Sequence, residues 1–279
     1  MPSALKNLNI PINNTNYRMG IGGLHSTEKS IYHESSDEFV LIDRDVTSYY
    51  PMIILICGLY PEHLGQIFLH AYSQIVHERI QAKQAKNEVK AHSLKITING
   101  CFGKFGSPFS ILYSPQLLIQ VTITGQLCLL MLIERIELRG IQVVSANTDG
   151  IVIKCPRKRQ EELSAIIKQW ELDTGFETEE TRYASLHCRD VNSYIAVKEE
   201  TEIKSKGFFA DPWRHCKTKA DKLTKNPTNT ICIEAVENYL VHKKPLCQTI
   251  QECTDIRKFI TVRTVKGGAV KIWEEQPPP

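Results

Sequence analysis

The chain lacks several features that would assign it quickly. Its nine cysteines form no CxxC pair and no ligand-like cluster with His. A zinc site is therefore not expected, and the thiols read as reduced in a cytosolic setting. The formal net charge is only +3, so bulk charge does not mark a polyanion binder. A membrane span needs about 20 mostly apolar residues. The most apolar stretch, 117–133, is interrupted by Gln120, Thr122, Thr124, Gly125 and Gln126. It predicts a buried helix, with no membrane partner. No signal peptide and no internal repeat is found. Gly20-Ile21-Gly22-Gly23 is not followed by a helical pattern. It marks a turn or a close backbone approach, not a phosphate loop.

What the chain does have is length and apolar content. At 279 residues and 42% hydrophobic, it can bury a substantial core as one large domain or two to three subdomains. Basic residues gather from Arg79 to Lys95, at Arg157-Lys158-Arg159, at Lys204 and Lys206, and between Arg214 and Lys225. Each run also reads as a solvated face.

Residues 1–38 are polar and weakly periodic. The pattern then predicts a strand over Phe39–Asp45 and a short helix ending near Cys57-Gly58. Helices are expected over Gly65–Lys86 and Glu88–Phe102, joined by a hairpin tip at Lys86-Asn87. Another covers Pro115–Arg139 and ends at Gly140. Asn147-Thr148-Asp149-Gly150 reads as a hairpin turn between β-rich runs. A helix over Gln160–Leu172 precedes strands over Phe176–His187, Asn192–Lys198 and Ile203–Phe209. A last helix spans Thr230–His242.

Two acidic segments lie where a strand gives way to a turn: Asp45-Val46-Thr47-Ser48-Tyr49-Tyr50-Pro51 and Asn147-Thr148-Asp149-Gly150. A lone Asp at a strand end is usually a turn-former. Two carboxylates converging from separate strands can instead hold a pair of Mg²⁺ ions for phosphoryl or nucleotidyl transfer. Asp43 lies on the same strand face as Asp45, as a rival or a helper. Lys95 and Asn99 share a helix face, and Phe102 lies next to it. A cation, an amide and an aromatic ring suit a nucleotide's phosphate, base edge and stacking surface. Arg79 and Lys83 share a face on the preceding helix and, with Lys95, form a three-cation cradle for a triphosphate. The alternative for all of these is a solvated amphipathic face.

Read in order, DxxSxYP at 45–51, RxxxK at 79–83, Kx3NxxFG at 95–103 and NTDG at 147–150 resemble the polymerase core of family B DNA-dependent DNA polymerases. Gly22-Gly23-Leu24-His25-Ser26 and Asn147–Gly150 look most like the bacteriophage and mobile-element branch. The resemblance covers about residues 18–270. It implies an α+β fold: an antiparallel-sheet palm backed by helices, a helical fingers hairpin and a partial thumb. The implied boundaries are an N-terminal segment at 1–38, palm at 39–58, fingers at 59–106, palm again at 107–210, and partial thumb at 211–279.

The implied activity is template-directed addition of dNTPs to a primer 3′ end in phage or viral DNA replication. The implied location is the cytoplasm, or the host cytoplasm for a phage-encoded chain. Asp45 and Asp149 would be catalytic and would bind two Mg²⁺ ions, with the Val46 carbonyl as a further ligand. Ser48 and Tyr49 would receive the triphosphate through their backbone, and Tyr50 would exclude a ribose 2′-OH. Arg79, Lys83 and Lys95 would hold the phosphates, while Asn99 and Phe102 line the nascent base pair. Gly103, Lys104, Thr148, Tyr194, Lys204 and Lys206 would meet primer-template DNA. A separate exonuclease or accessory replication protein is a further implied partner.

The chain departs from the family pattern in three places. Asn147 stands where the family has Asp. Val191-Asn192-Ser193-Tyr194 replaces a Lys-rich segment, leaving Lys204 and Lys206 for the phosphate contacts. Only 38 residues precede the Phe39 strand, too short for a proofreading domain, and a truncated thumb is expected. The alternatives are a non-catalytic DNA-binding remnant and a metal-dependent transferase built on Asp43-Arg44-Asp45.

Overall fold

The computed structural model describes residues 8–263, apart from 201, 215, 217, 219–224 and 227, together with residue 267. The chain forms two compact units, Met1–Lys204 and Ser205–Pro279. The division falls earlier than the expected boundary after residue 210.

The first unit is a mixed helix and antiparallel-sheet structure. Its strands are β1 (Leu8–Ile12), β2 (Thr15–Met19), β3 (Leu24–Ser26), β4 (Lys29–Glu34), β5 (Phe39–Val46), β6 (Gln142–Asn147), β7 (Gly150–Pro156), β8 (Thr178–Asp190), β9 (Ser193–Lys198) and β10 (Ile203–Ser205), the last ending at the unit boundary. They lie in the order β1-β2-β3-β6-β7-β5-β8-β9-β10, with β4 paired to β8. The helices are α1 (Tyr49–Ile56), α2 (Ile67–Gln84), α3 (Glu88–Lys104), α4 (Pro115–Glu137) and α5 (Gln160–Thr174).

β5 is central, and its two faces differ because side chains alternate along a strand. Val40, Ile42 and Val46 join the main core with α1, α4 and α5. Leu41 faces the other way, into a smaller cluster with Val144, Tyr183 and Leu186. Asp43 and Asp45 share that second face.

α4 is long and apolar enough to cross a membrane. Here Leu117, Val121, Leu129, Leu132, Ile133 and Ile136 are buried in the main core. Each buried side chain of this size contributes roughly 1.5–3 kcal/mol. Trp170 of α5 is fully buried and donates to the Cys128 carbonyl of α4 at 2.9 Å.

α2 and α3 form the expected helical hairpin. Lys86 turns the chain in the left-handed region, and the Asn87 side chain caps α3 by accepting from the Lys90 N–H. Phe68, Tyr72 and Val76 of α2 and Ile98 of α3 are buried. The Tyr72 hydroxyl donates to the Ile98 carbonyl at 3.0 Å.

Two sequence expectations need correction. Residues 8–34, read as weakly periodic, form four strands. Tyr17 and Met19 are buried while Asn16 and Arg18 are exposed. That alternation is real but runs for one short strand, and β1 at the sheet edge has no buried position. The strand expected over Ile203–Phe209 stops at Ser205; Gly207, with φ 59°, opens a 3-10 turn through Phe209.

In the second unit, α6 (Thr230–His242) buries Ile231, Ile233 and Ala235. It is followed by α7 (Leu246–Glu252). Glu237 of α6 takes an ion pair from Arg214 and a hydrogen bond from Ser205. Most of the basic stretch between Arg214 and Lys225, residues 266 and 268 of the glycine-containing tail, and the closing prolines 277–279 lie outside the described residues.

Candidate active site

The end of β5 and the β6–β7 turn meet through the sheet itself. Asp45 pairs with Gly150 across β5 and β7. The Val46 N–H then donates to the Asp149 carbonyl at 2.7 Å. Remote residues 45 and 149 thus become neighbours. Val46 is buried, while Asp45 keeps half of its side chain exposed.

The turn is built under strain. Thr148 sits at φ 61°, an unusual conformation for a β-branched residue. It is held there by its N–H donating to the Leu24 carbonyl at 2.8 Å. Gly23, at φ 151°, passes so close that a Cβ would lie 2.9 Å from the Thr148 side chain. The expected close backbone approach of the Gly20–Gly23 segment is therefore against this turn. Ser48 is also left-handed, at φ 52°, where β5 leads into α1. Strained residues of this kind cluster at functional sites.

The electrostatics follow from crowding like charges. The Asp45 carboxyl is pushed up to about 6, first by desolvation, then by Asp43, with Asp149 adding and Lys204 opposing. Asp149 stands exposed at the turn. Its surroundings still withhold enough water to raise its pKa, against its own backbone hydrogen bond and the positive charges of Lys204 and Lys95. Lys95 of α3 is thus within electrostatic reach of Asp149. Across β8, Glu179 is the direct partner of Asp45. It forms an ion pair with Lys83 of α2.

Other groups flank these carboxylates. Arg79 donates to the Ser48 hydroxyl. Tyr50 stacks on Phe102 with ring centroids 4.3 Å apart, and its hydroxyl donates to the Gly22 carbonyl at 2.7 Å. Asn99, Gly103 and Lys104 are exposed along and at the end of α3.

Not every candidate side chain faces the opening. Tyr49 is 3% exposed and donates to the Gly125 carbonyl at 2.5 Å, so its ring is spent on the core. Lys204 turns inward to Asp43 and Tyr183, each at 3.0 Å, instead of presenting a free cation to a phosphate. Tyr194 is half-buried against the smaller cluster, within the electrostatic reach of Lys204 and Asp43. Lys206 is exposed and belongs to the second unit.

Among the described residues, no group of three or more His, Cys, Asp or Glu side chains is arranged to hold a metal ion. The donors at the turn are two carboxylates. That set fits Mg²⁺, which is commonly bound by one or two carboxylates together with substrate phosphates and water. The mutual repulsion at Asp45 is the kind that a divalent ion relieves.

No family model matches this sequence, and no curated protein does. Solved structures do match. One is the family B DNA polymerase from the hyperthermophilic archaeon Pyrobaculum calidifontis, with a TM-score of 0.54 over 81% of this chain at 15% identity. The fold is polymerase-like.

The match spans 32% of the length of the archaeal polymerase. Within the polymerase-like fold, two residues near Asp45 occupy places that the sequence does not signal. Glu179 is one, because only the β5–β8 register sets it opposite Asp45. Lys204 was expected at DNA, because only three-dimensional packing aims it at Asp43. The alternation of Thr178-Glu179-Glu180-Thr181 was the available signal for Glu179. It placed Glu179 and Glu180 on opposite faces without saying which strand lay alongside.

Proposed function

We propose that this chain is the palm and fingers, with a partial thumb, of a template-directed DNA polymerase of the phage and mobile-element type. The observation that carries the proposal is the pairing of Asp45 with Gly150 and of the Val46 N–H with the Asp149 carbonyl, which makes residues 45 and 149 neighbours at the end of paired strands in a polymerase-like fold. In this reading the sheet is the palm and the α2–α3 hairpin the fingers. The substrates are primer-template DNA and dNTPs, in phage or viral replication in a host cytoplasm. A separate exonuclease or accessory protein would complete the replication machinery.

Asp45 and Asp149, with the Val46 carbonyl, would hold two Mg²⁺ ions. When bound, such ions activate the primer 3′-OH and steady the leaving pyrophosphate. Lys95, within electrostatic reach of Asp149, would meet the triphosphate. Arg79 and Lys83 would exchange their present partners, Ser48 and Glu179, for phosphate oxygens. Lys83 and Glu179 are both more than half exposed, and such pairs are worth only about 0–1 kcal/mol. A phosphate can therefore displace Glu179 at little cost. The Tyr50–Phe102 stack offers an apolar surface to the sugar and the nascent base pair, with Asn99 beside it. Gly103, Lys104, Thr148, Tyr194 and Lys206 would meet the DNA.

Primer extension with Mg²⁺ tests this directly. The wild-type chain should extend a primer by template-directed steps, and Asp45→Ala and Asp149→Ala should abolish it. Equal signal from wild type and variants would sink the proposal and leave a remnant or a contaminant. A transferase built on Asp43 predicts instead that Asp43→Ala is as damaging as Asp45→Ala while Lys95→Ala is silent.

A further inference from the structure

The Lys204 ammonium has three donors and three neighbours. It lies 3.0 Å from Asp43 Oδ2, 3.0 Å from the Tyr183 hydroxyl and 3.6 Å from Asp45 Oδ2. The first two partners are fixed. The Asp43 side chain is 7% exposed, and Tyr183, fully buried, donates its hydroxyl to the same Asp43 carboxylate. The third partner is the half-open Asp45. Lys204 is thus fastened from beneath, with its remaining hydrogen-bonding capacity directed at a carboxylate of the candidate site. Lys83, the ion-pair partner of Glu179 across from Asp45, is already paired.

We propose that Lys204 is a positioning residue for Asp45. Anchored by Asp43 and Tyr183, it holds the Asp45 carboxylate in place and serves as its counter-cation until a divalent ion arrives. Asp43 is then the anchor of Lys204 and not a metal contact. The proposal deepens the two-carboxylate reading above, but its main readout does not require polymerisation.

The arrangement makes two variants move in opposite directions. Lys204→Met removes a cation that competes with the metal, so the carboxylates bind a divalent ion more tightly. Asp43→Asn removes the anchoring charge, so Lys204 pairs more fully with Asp45 and binding weakens. A purely structural role would loosen the site in both variants.

The experiment is a Mn²⁺ titration of the full chain followed by electron paramagnetic resonance. Wild type is compared with Lys204→Met, Lys204→Gln, Asp43→Asn and Asp45→Asn, and thermal melts run in parallel. Charge removal at this distance should tighten Mn²⁺ binding by roughly three- to tenfold in Lys204→Met. Lys204→Gln can still donate to Asp43, so it carries the test should the Met variant fold poorly. Asp43→Asn should weaken binding several-fold, and Asp45→Asn should abolish it. In primer extension at saturating metal, Lys204→Gln should lower kcat while leaving the KM for dNTP near wild type. Unchanged Mn²⁺ affinity in Lys204→Gln, or shifts of the same sign in Lys204→Gln and Asp43→Asn, would overturn the proposal. Opposite shifts in a chain that extends no primer would uphold the role of Lys204 and remove the polymerase reading instead.

Discussion

A Cβ on Gly150 would lie 2.0 Å from Oδ1 of Asp45 and 3.2 Å from its Cγ. The missing side chain at 150 is the space in which the Asp45 carboxylate stands. This is a tighter constraint than the turn alone imposes, since Gly150 does not need a left-handed backbone.

Gly150→Ala should therefore separate folding from function. The clashing atom is the end of a side chain that can rotate, so the stability cost should stay within about 1–3 kcal/mol. Rotating the Asp45 carboxylate away from Asp149 should cost primer extension on the order of 100-fold or more, since misplacement of about 1 Å can cost that much. Melting curves beside single-nucleotide incorporation rates check this. A fully active Gly150→Ala chain would show that the carboxylate is not needed where it stands.

The fold's main helices, the β5 strand and the 147–150 hairpin were legible because each carries a long or sharply punctuated pattern. Lys86-Asn87 and Gly140 marked the helix ends that the structure has. The four strands over 8–34 were not legible, because they are short and partly at an edge, where alternation has little apolar content to display. Of the candidate site, the sequence could bring Asp45 and Asp149 forward as a pair. It could not supply register, and register is what opposes Glu179 to Asp45. Nor could it tell that Tyr49 would turn into the core while its neighbour Tyr50 stacks on Phe102.

Tyr49→Phe should be a stability variant and not a kinetic one. The Tyr49 hydroxyl donates to the Gly125 carbonyl in the buried seam between α1 and α4. Its loss leaves a buried acceptor without that donor, at a cost of about 1–3 kcal/mol. Denaturant unfolding should register the loss, while the dNTP KM should stay within about twofold of wild type, since 1.4 kcal/mol corresponds to tenfold. A large KM effect with unchanged stability would give the Tyr49 ring a part in nucleotide binding, beyond the backbone contact expected there.

The Asp45 carboxyl makes the metal-free protein sensitive to pH. Its folded-state pKa is raised to about 6, above the unfolded value near 3.9. The folded state therefore binds the proton more tightly than the unfolded state does. Asp45's contribution to stability is fully present below the unfolded value and is lost as pH rises through about 6. In the absence of divalent ions, Asp45→Asn should melt higher than wild type at pH 7, and the difference should shrink toward pH 4. Added Mg²⁺ should raise the wild-type melting temperature at pH 7 and have little effect on Asp45→Asn. At limiting Mg²⁺, primer extension should fall as pH drops through about 6, because a protonated carboxyl is a poor metal ligand; saturating Mg²⁺ should move the fall to lower pH.

Asn147 is the departure from the family pattern that the structure explains most directly. Its side-chain amide donates to the Val191 carbonyl at 2.9 Å and lies 3.4 Å from the Asn192 side-chain oxygen. It thereby ties the β6–β7 turn to the β8–β9 turn. Its own oxygen accepts from the Thr148 hydroxyl at 3.2 Å. A carboxylate could keep the Thr148 bond but could not donate to Val191. It would also add a negative charge beside Asp149. Asn147→Asp should therefore destabilise the metal-free chain by about 1–3 kcal/mol, the cost of an unmatched acceptor pair, and should not raise primer extension. Asn147→Ser, too short to reach Val191 in the same way, should destabilise without the added charge. Melting temperatures with and without Mg²⁺, read beside incorporation rates, separate the two roles. An Asn147→Asp chain that is as stable as wild type and several-fold more active would make position 147 a metal contact and not a tie between turns.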